Sequence, residues 1–132
     1  MIVNIVGGGD SKALVTPGNF TIGTNFHCEW ANIIFAVDDY MVKDLLKENY
    51  LVFTTPKTYV QFRHDSRCFL FNSKQFYNTH SLSSGLNAIC LANLLGFSTI
   101  NLFGFDKIQT KFKENYDKFL MIKETEKEYV FK

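Results

Sequence analysis

The sequence predicts an α/β fold, a single three-layer domain with a mostly parallel sheet and helices on both faces, and three observations carry that expectation. Short apolar runs containing β-branched residues, Ile2-Val3-Asn4-Ile5-Val6, Asn32-Ile33-Ile34-Phe35-Ala36-Val37 and Thr99-Ile100-Asn101-Leu102-Phe103, have the composition of strands buried on both faces. Each stops abruptly at glycine or aspartate, at the strand end where open α/β sheets place their ligands. Helix-length amphipathic segments separate strand-like ones, the alternation that builds parallel sheets. At 132 residues and 46% hydrophobic, the chain has enough bulk for one core and too little for a second domain. Residues 1–132 therefore read as one domain, with a core over 2–106 and a C-terminal extension over 107–132.

Taken in order, the first strand runs into Gly7-Gly8-Gly9-Asp10-Ser11. Glycines there permit positive φ and leave backbone N–H groups unobstructed, so Gly8, Gly9 and Ser11 are candidates to wrap a phosphate or ribose; a tight surface turn has the same composition. The loop lacks the third glycine of a dinucleotide fingerprint and the Gly-Lys-Ser/Thr ending of a P-loop. Thr16-Pro17-Gly18-Asn19 is a turn, and Phe20-Thr21-Ile22-Gly23-Thr24-Asn25 a second strand. Asn25 at its end suits a base edge or ribose hydroxyls, and equally a turn. The third strand, Asn32 to Val37, leads into Asp38-Asp39: one carboxylate can face a ligand hydroxyl or a magnesium ion while the other caps a helix over residues 40–48, or both simply cap it. Met41, Val42, Leu45 and Leu46 are that helix's core stripe.

Leu51-Val52-Phe53-Thr54-Thr55 is a fourth strand closed by Pro56. Beyond it, Tyr59-Val60-Gln61-Phe62 and Cys68-Phe69-Leu70-Phe71 are expected as two short edge strands of a hairpin, joined by Arg63-His64-Asp65-Ser66-Arg67, whose cations can reach phosphate if the connection folds over the cleft. An edge there is also a surface for a homodimer.

The stretch from Leu82 to Asp106 is a complete helix-to-strand unit. Ser83 or Ser84 supplies the N-cap, Gly85 lets an anion approach the first turn, and Gly96 is the stop. Leu86, Ile89, Cys90, Leu91, Leu94 and Leu95 make a broad apolar face, with Asn87 and Asn93 off it. Gly104-Phe105-Asp106 then sets a carboxylate just past the strand. His80 precedes this helix and is the one histidine of three placed to act as general acid or base, with Asp38 the other candidate. In the tail, Phe112, Tyr116, Phe119 and Leu120 have helical spacing, and Glu128-Tyr129-Val130-Phe131 can return as a strand.

Composition narrows the partners. A net charge of +1 with alternating signs, most visibly from Lys107 to Lys132, excludes the clustered basic surface of a nucleic-acid binder. Fourteen scattered phenylalanines read as core filling. Three cysteines without Cys-x-x-Cys spacing fit neither a disulfide framework nor a zinc site and point to a reducing, cytoplasmic setting. No apolar run nears the roughly 20 residues that cross a bilayer.

Four landmarks, the strand with Gly-Gly-Gly-Asp-Ser, the strand with Asn25, the strand with Asp38-Asp39, and the Ser83-Ser84-Gly85 helix leading to Gly104-Phe105-Asp106, together resemble the bacterial sialyltransferases of glycosyltransferase family 42 and their relatives, the 6-hydroxymethylpterin pyrophosphokinase-like proteins, often carried by bacteria and phages. The resemblance spans residues 2–106 and implies a Rossmann-like, nucleotide-binding fold. It implies a nucleotide or nucleotide-sugar across the strand ends, touching Gly8, Gly9 and Ser11 on one side, Asn25 below, and Ser83, Ser84 and Gly85 at its phosphate. The residues themselves offer Asp38, Asp39 or Asp106 to bind a ligand hydroxyl or a magnesium ion, and no dedicated metal site is expected. Two departures stand out. The family's glycine loop continues Gly-Pro-Ser where this chain has Gly-Asp-Ser, and the family's catalytic histidine and phosphate-binding tyrosines follow the Gly-x-Asp strand, where this chain has no histidine. A small sialyltransferase-like transferase and a module that kept the nucleotide cleft without its chemistry, phage-encoded or not, are the two functions this leaves.

Overall fold

The structure, a computed structural model, describes residues 1–15, 18–73, 83–105 and 128–131. Seven strands form one sheet: β1 (Ile2–Val6), β2 (Phe20–Thr24), β3 (Ile33–Phe35), β4 (Val52–Thr54), β5 (Cys68–Leu70), β6 (Thr99–Phe103) and β7 (Glu128–Phe131). Their spatial order is β5-β4-β3-β2-β1-β6-β7, and every neighbouring pair is parallel. The order reverses between β1 and β6, so the topological switch point falls there, where sheets of this kind open a crevice at their carboxyl ends.

Two hydrophobic cores lie on opposite faces, because side chains alternate along each strand. On one face Val3, Ile5, Ile22, Phe35, Ile100 and Leu102 pack against helix α3 (Ser84–Leu94). On the other, Ile34, Ala36 and Val52 meet Val42, Leu45 and Leu46 of helix α1 (Asp39–Lys47), with Tyr59 and Phe62 of helix α2 (Pro56–Phe62) at the margin. This is the three-layer α/β, Rossmann-like architecture expected from the sequence. The strand over Ile2–Val6, the α1 stripe, the stop at Gly96 with φ +90° and the terminal strand Glu128–Phe131 all occur as anticipated.

Two expectations are corrected. Tyr59-Val60-Gln61-Phe62 belongs to α2, not to a strand, and β5 joins β4 in parallel, so the edge hairpin does not exist. Pro56 holds the first helical position, where its fixed φ favours the helix and its missing N–H costs nothing. Tyr59 and Phe62, three apart, then share the inward side, a spacing that four residues of sequence cannot separate from strand alternation. The change also moves Arg63, His64 and Arg67. They fill the α2–β5 connection at the amino ends of the strands, where Arg67 donates to the Asp65 carboxylate and to Asn49, at the end of the sheet remote from the cleft.

Asn87 is the second correction: it is wholly buried rather than off the packed face, and its Nδ2 donates to the Ser83 carbonyl at 3.1 Å. Helix α3 is buried nearly all round from Ser84 to Ala92, which gives it none of the one-sided pattern of a surface helix. The helical spacing read over residues 112–120 lies outside the described residues.

Candidate functional site

Helix α3 runs antiparallel to the strands it covers, so its amino end rises to the carboxyl rim of the sheet. Ser83 caps it: the hydroxyl accepts from the Leu86 N–H at 3.4 Å, and the Ser83 carbonyl accepts from the Asn87 N–H at 2.9 Å. The first-turn N–H groups of Ser84 and Gly85 have no intrahelical acceptor, a position that favours negative charge. Beside this turn opens a cleft of about 310 Å³, lined by Gly7, Gly8, Thr24, Asn25, Val37, Ser83, Ser84, Gly85, Gly104 and Phe105. Five segments far apart in the chain thus converge at the switch point. Gly8, Asn25, Ser83, Ser84 and Gly85, all picked from the sequence, are together there.

The glycine loop is built differently from the open cradle expected. Gly7 N–H donates to the Phe103 carbonyl at 2.7 Å and Gly9 N–H to the Gly104 carbonyl at 2.8 Å, so two of its amides are spent on the end of β6 and the residue that follows it. The Ser11 hydroxyl accepts from the Gly104 N–H at 2.7 Å, which makes it a tie between the two loops. A Cβ on Gly104 would come within 2.2 Å of the Gly7 carbonyl oxygen, so these glycines allow two backbones to touch. Only Gly7 and Gly8 of the loop reach the cleft wall.

The aspartates divide. Asp38 stands at the N-cap position of α1 without capping it; its Oδ2 instead accepts from Asn25 Nδ2 at 3.0 Å. Asp39 turns away toward α2, where Gln61 donates to Oδ2 at 2.7 Å and the Thr58 hydroxyl lies 2.9 Å from Oδ1. These bonds, Gln61 first and Thr58 second, hold its carboxyl below the usual range. Asp39 is therefore an α1–α2 link and not part of the cleft lining. Asp106 and His80 lie outside the described residues.

Asn25 is the most pointed feature of the site. Its φ of +59° is left-handed, tolerated by asparagine, and its N–H is held by the Phe35 carbonyl at 2.9 Å. Its Oδ1 is buried with no hydrogen-bond partner. Gly7, Gly104 and Phe105, named from the sequence within their loops but not as ligand contacts, complete the lining with Thr24 and Val37, which were not singled out; the signal available for those two was their place at a strand end beside a chosen residue. Among the described residues no group of three or more histidine, cysteine, aspartate or glutamate side chains could hold a metal ion.

No family model and no curated protein matches this chain. Solved structures do. A point mutant of the α-2,3/8-sialyltransferase CstII superposes with a TM-score of 0.60 at 16% identity, covering 99% of this chain and 81% of that one. CstII from Campylobacter jejuni in complex with cytidine-5'-monophosphate matches at TM-score 0.56 and 17% identity, over 98% and 78% of the two chains. The same enzyme with a trisaccharide acceptor and CMP matches at 0.57 and 15%, over 99% and 80%. At such identities the likeness establishes a sialyltransferase-like fold.

Proposed function

We propose that the chain, residues 1–132 as one domain, binds a nucleotide or nucleotide-sugar in the cleft between Gly8, Asn25 and the amino end of α3, and acts as a small sialyltransferase-like transferase. The observation that carries this reading is the meeting, in one cleft, of the capped amino end of α3 with Asn25 and the loop after β1. An anionic phosphate suits the helix end, and the polar edge of a ribose or base suits the Asn25 side. The fold's likeness to an enzyme crystallised with CMP, with the analogue CMP-3FNeuAc and with an acceptor trisaccharide supports the ligand class. In transfer from such a donor, negative charge grows on the leaving phosphate, and fixed N–H dipoles aimed at it lower the barrier without reorganising. His80 is the base this reading assigns to the acceptor, with Asp38 second.

One observation favours a binding module without chemistry instead: no titratable side chain is among the described residues that line the cleft. A thermal-shift screen of the full chain against nucleoside mono- and diphosphates and nucleotide sugars, with and without magnesium, tests both. A ligand at a hundred times its dissociation constant contributes about 2.7 kcal/mol. Stabilisation with release of free nucleotide supports the transferase, and stabilisation without it the module; no response in the panel removes both. In Ser84→Leu, which fills the cleft at the helix turn, the ligand shift is expected to vanish while the unliganded protein still melts cooperatively. A retained shift would move the phosphate elsewhere.

A further inference from the structure

We infer that the pocket beside Trp30, separate from the cleft and independent of the nucleotide reading, is a second ligand site that takes an anionic saccharide, a sugar ring carrying a carboxylate. The Trp30 indole covers the C–H face of the ring, and the Lys12 ammonium meets its charge.

Thr21 alternates along β2 with Ile22, which packs on the α3 side, so Thr21 looks to the opposite face of the sheet. There the chain leaves a pocket of about 360 Å³, whose described lining includes Lys12, Ala13, Val15, Asn19, Thr21 and Trp30 and no carboxylate. Its size and its mix of apolar wall with a few polar groups are those of a small-molecule site. Trp30 is 53% exposed. A half-exposed indole on open surface is ordinary, but one on a pocket wall offers a flat ring whose negative face attracts C–H groups. The backbone around it is already fixed: Asn32 N–H donates to the Thr21 carbonyl at 2.9 Å, Thr21 N–H to the Asn32 side-chain oxygen at 2.8 Å, and Ala31 N–H to the Cys28 carbonyl at 3.1 Å. Little ordering of this wall is left for a ligand to impose.

The polar groups select the charge of the ligand. Thr21 is committed, its hydroxyl donating to the Asn19 carbonyl at 3.1 Å. Among the described residues no hydrogen bond engages the Trp30 indole N–H or the Asn19 side-chain amide. Lys12 makes only neutral contacts there: its ammonium donates to the Gly8 carbonyl at 3.4 Å, long for such a bond, and lies 5.6 Å from the centre of the Phe26 ring. Both are weak at an exposed position, and an anion in the pocket replaces them with a charge-assisted bond within reach of the flexible lysine stem. Indole N–H, ammonium and amide are three donors beside the apolar Ala13 and Val15, which suits the hydroxyl and carboxylate oxygens of an acidic sugar. With no carboxylate in the described lining, an amine is disfavoured.

The chain has one tryptophan, so its fluorescence reports on this pocket alone. Methyl β-glucuronide and methyl β-glucoside, which differ only in a carboxylate against a hydroxymethyl group, are the probe pair. Titration of the full chain with either is expected to shift the Trp30 emission to the blue, the glucuronide binding about tenfold more tightly. In Lys12→Met, which keeps an unbranched stem and removes the charge, the two affinities are expected to agree within about twofold. The unaltered protein tests the same charge: added salt should weaken the glucuronide and leave the glucoside unchanged. Trp30→Ala, read by calorimetry, should bind neither sugar while melting as the parent does. An unmoved emission with both sugars, equal affinity for the two, a glucuronide affinity indifferent to salt, an undiminished ratio in folded Lys12→Met, or binding retained in Trp30→Ala overturns the inference. So does cytidine 5'-monophosphate that displaces the glucuronide and reproduces its emission change, which gives the pocket to a nucleotide. Failure of the nucleotide reading in the thermal-shift screen leaves the sugar titration untouched.

Discussion

Gly104 carries the tightest constraint of any single residue. Its φ of +79° already disfavours a side chain, and a Cβ would meet the Gly7 carbonyl oxygen at 2.2 Å, backbone that cannot move aside without breaking the Gly7 N–H bond to Phe103. Gly104→Ala should lower stability by about 3 kcal/mol in urea unfolding. Gly8→Ala, one residue along the facing loop, places its Cβ in open space and should stay within about 0.5 kcal/mol of the parent. Equal losses from the two would mean that the loops do not touch as described. The thiols make a second residue-scale prediction. Burial pushes Cys28 and Cys68 up to about 11 and Cys90 up to about 12. The reactive thiolate is then scarce at neutral pH. All three should resist a thiol reagent in the folded protein and react together once it is unfolded by denaturant.

Between elements, the contact of α1 with α2 is written in hydrogen bonds from Gln61 and Thr58 to Asp39. A carboxyl whose folded-state pKa is depressed contributes stability above its unfolded value, and that contribution is lost as pH falls through the lowered one. Asp65, held low by the Arg67 backbone N–H and side chain, has the same sign. The urea midpoint should therefore decline below about pH 4, and Asp39→Asn should make that decline shallower. An identical decline in the variant would sever the link from Asp39. The assignment of α2 has its own test at Val60, which is 63% exposed on that helix. Alanine is the better helix former, so Val60→Ala should stabilise by about 0.5 kcal/mol; a loss would mean the segment behaves as a strand, where the β-branched side chain is favoured.

For the molecule as a whole, what matters is that the sheet reverses its order between β1 and β6. That reversal puts the loop after β1 against the loop after β6 and lets the amino end of α3 look across them at Asn25. None of the described helices is long and apolar enough to cross a membrane. The fold was largely legible because its signals are local: Ile2–Val6 has the apolar continuity of a doubly covered strand, Ser83 offers a hydroxyl three residues before Leu86, and Gly96 ends a helix by the conformation that glycine alone takes easily. The site was legible where strand ends predict a rim, as at Gly8 and Asn25. It was not legible where side chains choose among partners. Ser11 ties two loops, Asp39 serves α2, and Asp38 orients an amide, each because of a neighbour distant along the chain that no local spacing reveals. By itself the sequence determined the alternation of elements, the helix ends and the chemistry available at each strand terminus, since backbone propensity and periodicity act over a few residues. Tertiary structure alone decided the strand order, the fate of residues 59–62 and the direction in which each polar group points, because those depend on which surfaces meet, and burial sets the cost of every bond left unmade.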